Sequence, residues 1–109
     1  MAVKNIAPAA LSDWLKDPAR GRPVLLDVRE PWEHQTARLE DSVLLPLREL
    51  ASRYAELDAA AETVVLCHHG GRSLQAAQFL ERLGFARVHN LAGGVDAWSR
   101  QVDPSVPVY

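Results

Sequence analysis

The sequence predicts an α/β domain built on a mainly parallel sheet, and three observations carry that prediction. Apolar runs of strand length, Val24–Val28 and Thr63–Leu66, alternate along the chain with amphipathic runs of helix length. Val24-Leu25-Leu26-Asp27-Val28 reads as a strand apolar on both faces, as strands covered by helices on each side do. The chain has 109 residues, enough for one hydrophobic core and no second.

Each element has its own signal. Pro8–Lys16 reads as a first helix, with Pro8 in the tolerated first turn and Leu11, Trp14 and Leu15 on one face. Asp17-Pro18 and Gly21 end it, and the Val24–Val28 strand follows. Glu30-Pro31-Trp32-Glu33 opens a short helix, Val43–Leu45 is a second short strand, and Pro46-Leu47 leads a helix to about Leu57. Thr63–Leu66 is the next strand. Leu74–Leu83 is an amphipathic helix that Gly84 should close as a left-handed cap. Arg87–Leu91 is the last strand, and Gly93-Gly94 turns into a final helical segment at Val95–Trp98. Trp14, Trp32 and Trp98 are assigned to packing. The domain covers 1–109 with a core over about 6–100, and the 101–109 tail, with Pro104 and Pro107, is expected to be irregular and to add little.

Composition narrows the function. Apolar residues make up 48% and charged residues 24%, the balance of an ordinary globular domain. Twelve basic and 14 acidic residues give a net charge of −2, which with no basic stripe argues against nucleic acid as a partner. The segment Met1–Ile6 lacks the apolar core of a signal peptide and no apolar run approaches a membrane span. No membrane partner is expected, and the expected compartment is the cytoplasm unless a leader was removed.

Cys67 is the one cysteine of the chain. It can form no internal disulfide and meets no internal resolving thiol, so any sulfur it takes up must pass to something outside the chain. It stands at the end of Thr63–Leu66, where open α/β sheets bind ligands, and Cys67-His68-His69-Gly70-Gly71-Arg72-Ser73 leads into the next helix. A loop with two glycines at a helix start turns backbone N–H groups inward, holds an anion, and favours thiolate over thiol. This predicts a catalytic Cys67 in an anion-binding cradle, against the alternative of a buried structural cysteine.

The other loop residues carry both plain and functional readings. Arg72, expected about one residue before the helix, would be unfavourable beside the positive end of the helix dipole unless an anion lay between them. Gly70 and Gly71 allow the backbone to approach a ligand closely. Ser73 either caps the helix or donates to the sulfur, with capping preferred. His68 and His69 are expected to make the mouth more cationic or hydrogen-bonding. A metal is not expected, because adjacent histidines rarely face one ion and no second ligand cluster has suitable spacing. No cofactor is expected. Asp27, Arg29 and Glu33 form a supporting cluster, with Arg29 and Glu33 expected to brace the turn as a salt bridge.

These residues resemble the rhodanese (sulfurtransferase) family, in particular its single-domain members, from about Ile6 to Trp98. The resemblance rests on Leu25–Glu33, on Cys67–Ser73 and on Leu91–Trp98 in the same order and spacing. It implies a five-stranded parallel sheet flanked by helices on both faces. It also implies that Cys67 takes sulfane sulfur from thiosulfate or a similar anionic donor as a persulfide and passes it to cyanide, a thiol or another acceptor. In that scheme the loop amides and Arg72 hold the donor and stabilise charge on the moving sulfur. One stretch departs from the family: Ala37-Arg38-Leu39-Glu40-Asp41-Ser42 stands where many members read Gly-His-Ile-Pro-Gly-Ala.

Three rivals bear on function. Cell-cycle dual-specificity phosphatases share a Cys…Arg cradle, but with five residues between the two where this chain has four, and the smaller ring suits a sulfur-centred anion better than a phosphoryl group. A non-catalytic binding or regulatory module often lacks the cysteine that this chain keeps. A persulfide carrier fed by a sulfur-relay protein keeps both residues and is not separated from a thiosulfate enzyme by sequence.

Overall fold

The computed structural model describes residues 3–109. Its elements run β1 (Lys4–Ile6), α1 (Pro8–Lys16), β2 (Val24–Asp27), α2 (Pro31–Thr36), β3 (Val43–Leu44), α3 (Leu47–Arg53), β4 (Thr63–Leu66), α4 (Gly71–Arg82), β5 (Val88–Leu91) and α5 (Gly94–Gln101). A 3₁₀ turn at Tyr54–Glu56 completes the helix expected to reach Leu57. The five strands form one sheet in the order β1-β5-β4-β2-β3, and every pairing is parallel. Among the described residues no helix is long and apolar enough to cross a membrane.

Strand alternation sorts the core into two layers. From β4, Val64 and Leu66 point to one face, where they meet Leu11 and Trp14 of α1, Val95 and Trp98 of α5, and Leu39. Val65 and Cys67 point to the other, where they meet Leu50 of α3 and Ala76, Ala77 and Leu80 of α4. The central strand is buried at every residue, which is why its sequence is apolar without a period.

Three features differ from the sequence reading. β1 went unrecognised: Lys4-Asn5-Ile6 has one apolar residue, and it is a strand because it pairs with β5 from Lys4↔His89 to Ile6↔Leu91. α4 starts at Gly71 rather than Leu74, so Arg72 lies inside its first turn. Trp32 is 60% exposed rather than packed.

The departing stretch before β3 contains a left-handed residue that is not glycine. Asp41, in place of the family's second glycine, takes φ +62° and is the only non-glycine among the described residues with positive φ. Asp tolerates this region better than most residues, because its short side chain can bond locally. Ala37 and Leu39 of the same stretch are buried.

Candidate active site

The loop from Cys67 to Ser73 connects the buried end of β4 to the first turn of α4, and backbone contacts fix its shape. The carbonyls of Cys67 and His68 accept the N–H groups of Val95 and Asp96 at 2.8 and 3.0 Å. Those donors belong to the first turn of α5, where a Cβ on Gly94 would overlap the same two carbonyl oxygens. Glycine at 94, at φ +62°, is what lets the two helix starts meet. With these carbonyls drawn toward α5, the loop's amides are left for its concave side.

Gly70, at φ +106°, turns the chain so that its N–H donates to Cys67 Sγ at 3.1 Å. The first helical bond of α4 is Leu74 N–H to the Gly70 carbonyl at 3.1 Å. The N–H groups of Gly71, Arg72 and Ser73 precede it and have no partner within the helix. Cys67 is 1% exposed, and its sulfur takes the Gly70 N–H at the positive end of a twelve-residue helix.

Arg72 is fixed by Glu33 and not by an anion alone. Its Nη1 and Nη2 donate to Glu33 Oε1 and Oε2 at 2.6 and 2.8 Å, a two-point contact between α4 and α2. Glu33 Oε1 also accepts the Glu30 N–H at 3.0 Å, and Oε2 accepts the Tyr109 hydroxyl at 2.8 Å. Arg72 above all, with these further donors, lowers the Glu33 pKa to about 2 despite its burial. The same contact raises that of Arg72.

The expected Arg29–Glu33 bridge is therefore replaced by two other pairs. Arg29 is fully buried and turns back to the end of its own strand, donating from Nε and Nη2 to Asp27 at 2.7–3.1 Å. Its N–H also bonds Asp27 Oδ1 at 3.0 Å. Asp27 lies level with Leu66 in register, at the same sheet edge as Cys67. Its carboxylate is taken up by Arg29 and by His34 Nδ1 at 2.9 Å. Burial opposes the Arg29 charge, but bonds to Asp27 and Tyr109 outweigh it, and the pKa is raised.

Ser73 neither caps α4 nor faces the sulfur. Gly70 is the N-cap, and the buried Ser73 hydroxyl donates to Asn90 Oδ1. Asn90, buried on β5, also donates from Nδ2 to Asn5 Oδ1 at 3.1 Å and to the Gly70 carbonyl at 3.4 Å, tying the loop to the sheet. A polar residue inside a strand covered on both faces needs such partners, and that was the available signal for Asn90.

The tail corrects the largest misreading: Gln101 still belongs to α5, and the residues after it, expected to add little, reach the site. Val106 is buried in the α1–α5 layer, and its carbonyl accepts the Ser99 hydroxyl. Tyr109 stacks on His68 with centroids 4.0 Å apart and planes 11° apart, and meets Trp32 edge-on at 5.8 Å. Burial raises its phenol pKa to about 12. Among the described residues, the buried His68 Nε2 has no hydrogen-bond partner, a cost of roughly 1–3 kcal/mol that a bound ligand or water would relieve.

His69 is exposed, and its ring lies 3.8 Å from that of His68. His68, His69 and Asp96 bring ligand atoms within 4.8 Å of one another, a grouping the sequence reading did not foresee because Asp96 lies on α5. Here the two imidazole rings are tilted 31° to one another, and Asp96 pairs with Arg100 at 3.1 Å.

Comparison with known proteins agrees with this geometry. The rhodanese-like domain pattern matches residues 11–101. The rhodanese-like/PpiC domain-containing protein 12, chloroplastic, of Arabidopsis thaliana is 39% identical over 112 residues, covering 98% of this chain and 38% of that protein. A sulfurtransferase of Allochromatium vinosum is 36% identical over 83 residues, 76% of this chain and 78% of that one. The crystal structure of a rhodanese-related protein from Thermoplasma volcanium superposes with a TM-score of 0.79 at 30% identity, covering 97% of each chain. The chain spans 20–38% of the length of the first curated relatives it matches, two of them adenylyltransferase and sulfurtransferase proteins of Zea mays.

Proposed function

Because the chain belongs to the rhodanese-like domain family, we propose that it is a sulfurtransferase in which Cys67 carries sulfane sulfur as a persulfide. Sulfurtransferase-named relatives support sulfur transfer at the level of the family. The observation that carries the proposal for this chain is the Gly70 N–H donating to Cys67 Sγ at 3.1 Å, at the start of α4. A donor already aimed at the sulfur stabilises charge there without reorganising during reaction.

With thiosulfate as donor, the Cys67 thiolate attacks the outer sulfur and the sulfur–sulfur bond of thiosulfate breaks. Sulfite leaves with the bonding pair, and Cys67 becomes a persulfide anion. Cyanide or a thiolate then attacks the terminal sulfur, leaves as thiocyanate or a new persulfide, and returns the Cys67 thiolate. Charge balances in both steps, and no general acid or cofactor enters. His68, His69, Gly70, Gly71 and Arg72 surround the sulfur position in this scheme. Ser73, Asp27, Arg29 and Glu33 hold that frame from behind.

A second reading keeps the persulfide but takes its sulfur from a partner protein. It is supported by the adenylyltransferase and sulfurtransferase relatives, whose names join two activities in one chain. Intact-protein mass after brief exposure to thiosulfate separates the two. Gain of one sulfur atom, removed by reductant and absent in Cys67→Ala, is the expected result. Absence of that gain in the wild type would sink the thiosulfate reading and leave partner-fed delivery.

A further inference from the structure

Beneath the loop, five side chains form one continuous line of hydrogen bonds: Asp27, Arg29, Tyr109, Glu33 and Arg72. Arg29 reaches Asp27 with Nε and Nη2, and its Nη1 donates to the Tyr109 oxygen at 2.8 Å. Tyr109 in turn lies 2.8 Å from Glu33 Oε2, and Glu33 takes both Nη atoms of Arg72. Direction along this line is determined. A phenol has one proton and a guanidinium accepts none, so the Tyr109 proton goes to Glu33.

Tyr109 is the one uncharged member, set between a buried cation and a buried carboxylate. Its ring meanwhile lies flat on His68, the residue after the nucleophile. It thus touches the loop's supports at two points.

We infer that Tyr109 is a positioning residue of the sulfur site: its hydroxyl holds the Glu33 carboxylate in the orientation that takes the Arg72 fork, and so sets the cationic face an anionic reagent meets at Cys67. The inference rests on reading Cys67 as a nucleophile that meets anions. Arg72 spends two of its five N–H donors on Glu33, and the other three have no protein partner among the described residues. Those three serve an incoming anion only while the fork stays in register. Without the hydroxyl, Arg29 Nη1 loses its acceptor and Glu33 is free to turn toward it, drawing Arg72 out of place.

The test compares alkylation of Cys67 by iodoacetate and iodoacetamide, reagents of similar size that differ in charge. Their rate ratio reports the field at the sulfur, whereas general loosening of the fold speeds both together. In Tyr109→Phe, which keeps the ring stack, the iodoacetate-to-iodoacetamide ratio should fall at least twofold. In Tyr109→Leu it should fall at least as far. Tyr54→Phe, whose ring packs on Phe79 at 6.1 Å, should leave the ratio unchanged. A ratio in Tyr109→Phe within twofold of wild type overturns the inference, as does a native protein in which neither reagent reaches Cys67. Because alkylation needs no sulfur donor, a wild type that gains no sulfur from thiosulfate refutes the thiosulfate reading and leaves this comparison readable.

Discussion

Arg72 illustrates how a residue can be both bound and available. Its fork is closed on a carboxylate that is 5% exposed, yet the arginine side chain itself is 37% exposed. A lysine would keep the charge but could not span Glu33 Oε1 and Oε2 from a planar pair of nitrogens. Arg72→Lys should therefore cost roughly 1–2 kcal/mol of stability, in line with losing a charge-assisted contact. It should also lower kcat/KM for an anionic sulfur donor about tenfold, which corresponds to roughly 1.4 kcal/mol. Steady-state kinetics with urea melts on the same samples would check both, and wild-type behaviour in Arg72→Lys would remove the fork from the account. The sequence placed Arg72 beside Cys67. Glu33 as its holder was not legible, because a salt-bridge partner in another helix leaves no local trace.

Among the elements, those with a strong local period were readable and those made by pairing were not. α1 matches its expected limits, Pro8–Lys16, because proline, an apolar face and Asp17-Pro18 all agree. β1 carries no such agreement and exists through β5. The turn before β3 shows a third case, in which a non-glycine residue takes a left-handed conformation that the sequence did not announce. Asp41 holds φ +62° with an exposed side chain, and its 3.9 Å pair with Arg22 is worth little in solvent. Asp41→Val should then cost about 1–2 kcal/mol, since a β-branched residue resists that region. Asp41→Gly should not destabilise, because relief of strain offsets the added freedom of the unfolded chain. Urea midpoints decide it: equal stability of Asp41→Val and wild type would mean the turn refolds around a different residue.

At the scale of the whole molecule, the site is where distant stretches of chain are tied together. Tyr109 bonds Arg29 and Glu33 across separations of 80 and 76 residues, and no window of sequence reveals such contacts. The same network makes stability depend on acid. The Glu33 pKa is lowered from 4.5 to about 2, so its contribution is complete above the unfolded value. It is lost as pH falls from about 4.5 through 2. Asp96, lowered by Arg100, acts in the same direction. Urea midpoints should fall between pH 5 and pH 2, with roughly 1–3 kcal/mol of the loss owed to Glu33. Glu33→Gln, less stable at neutral pH, should show a flatter profile there. An equally steep profile in Glu33→Gln would assign the acid sensitivity to other carboxylates.

The order of the sheet has a consequence for the protein in company. The strands at its two margins are β1, of three residues, and β3, of two. A neighbouring chain seeking to extend the sheet would find hydrogen-bonding rows well short of the five or six residues of a typical strand. The strand buried at every residue, β4, lies at the centre, already paired on both sides. Crowded copies of this protein thus meet at margins too brief to template cross-β growth, and the part of the sequence best suited to aggregation is exposed only on unfolding.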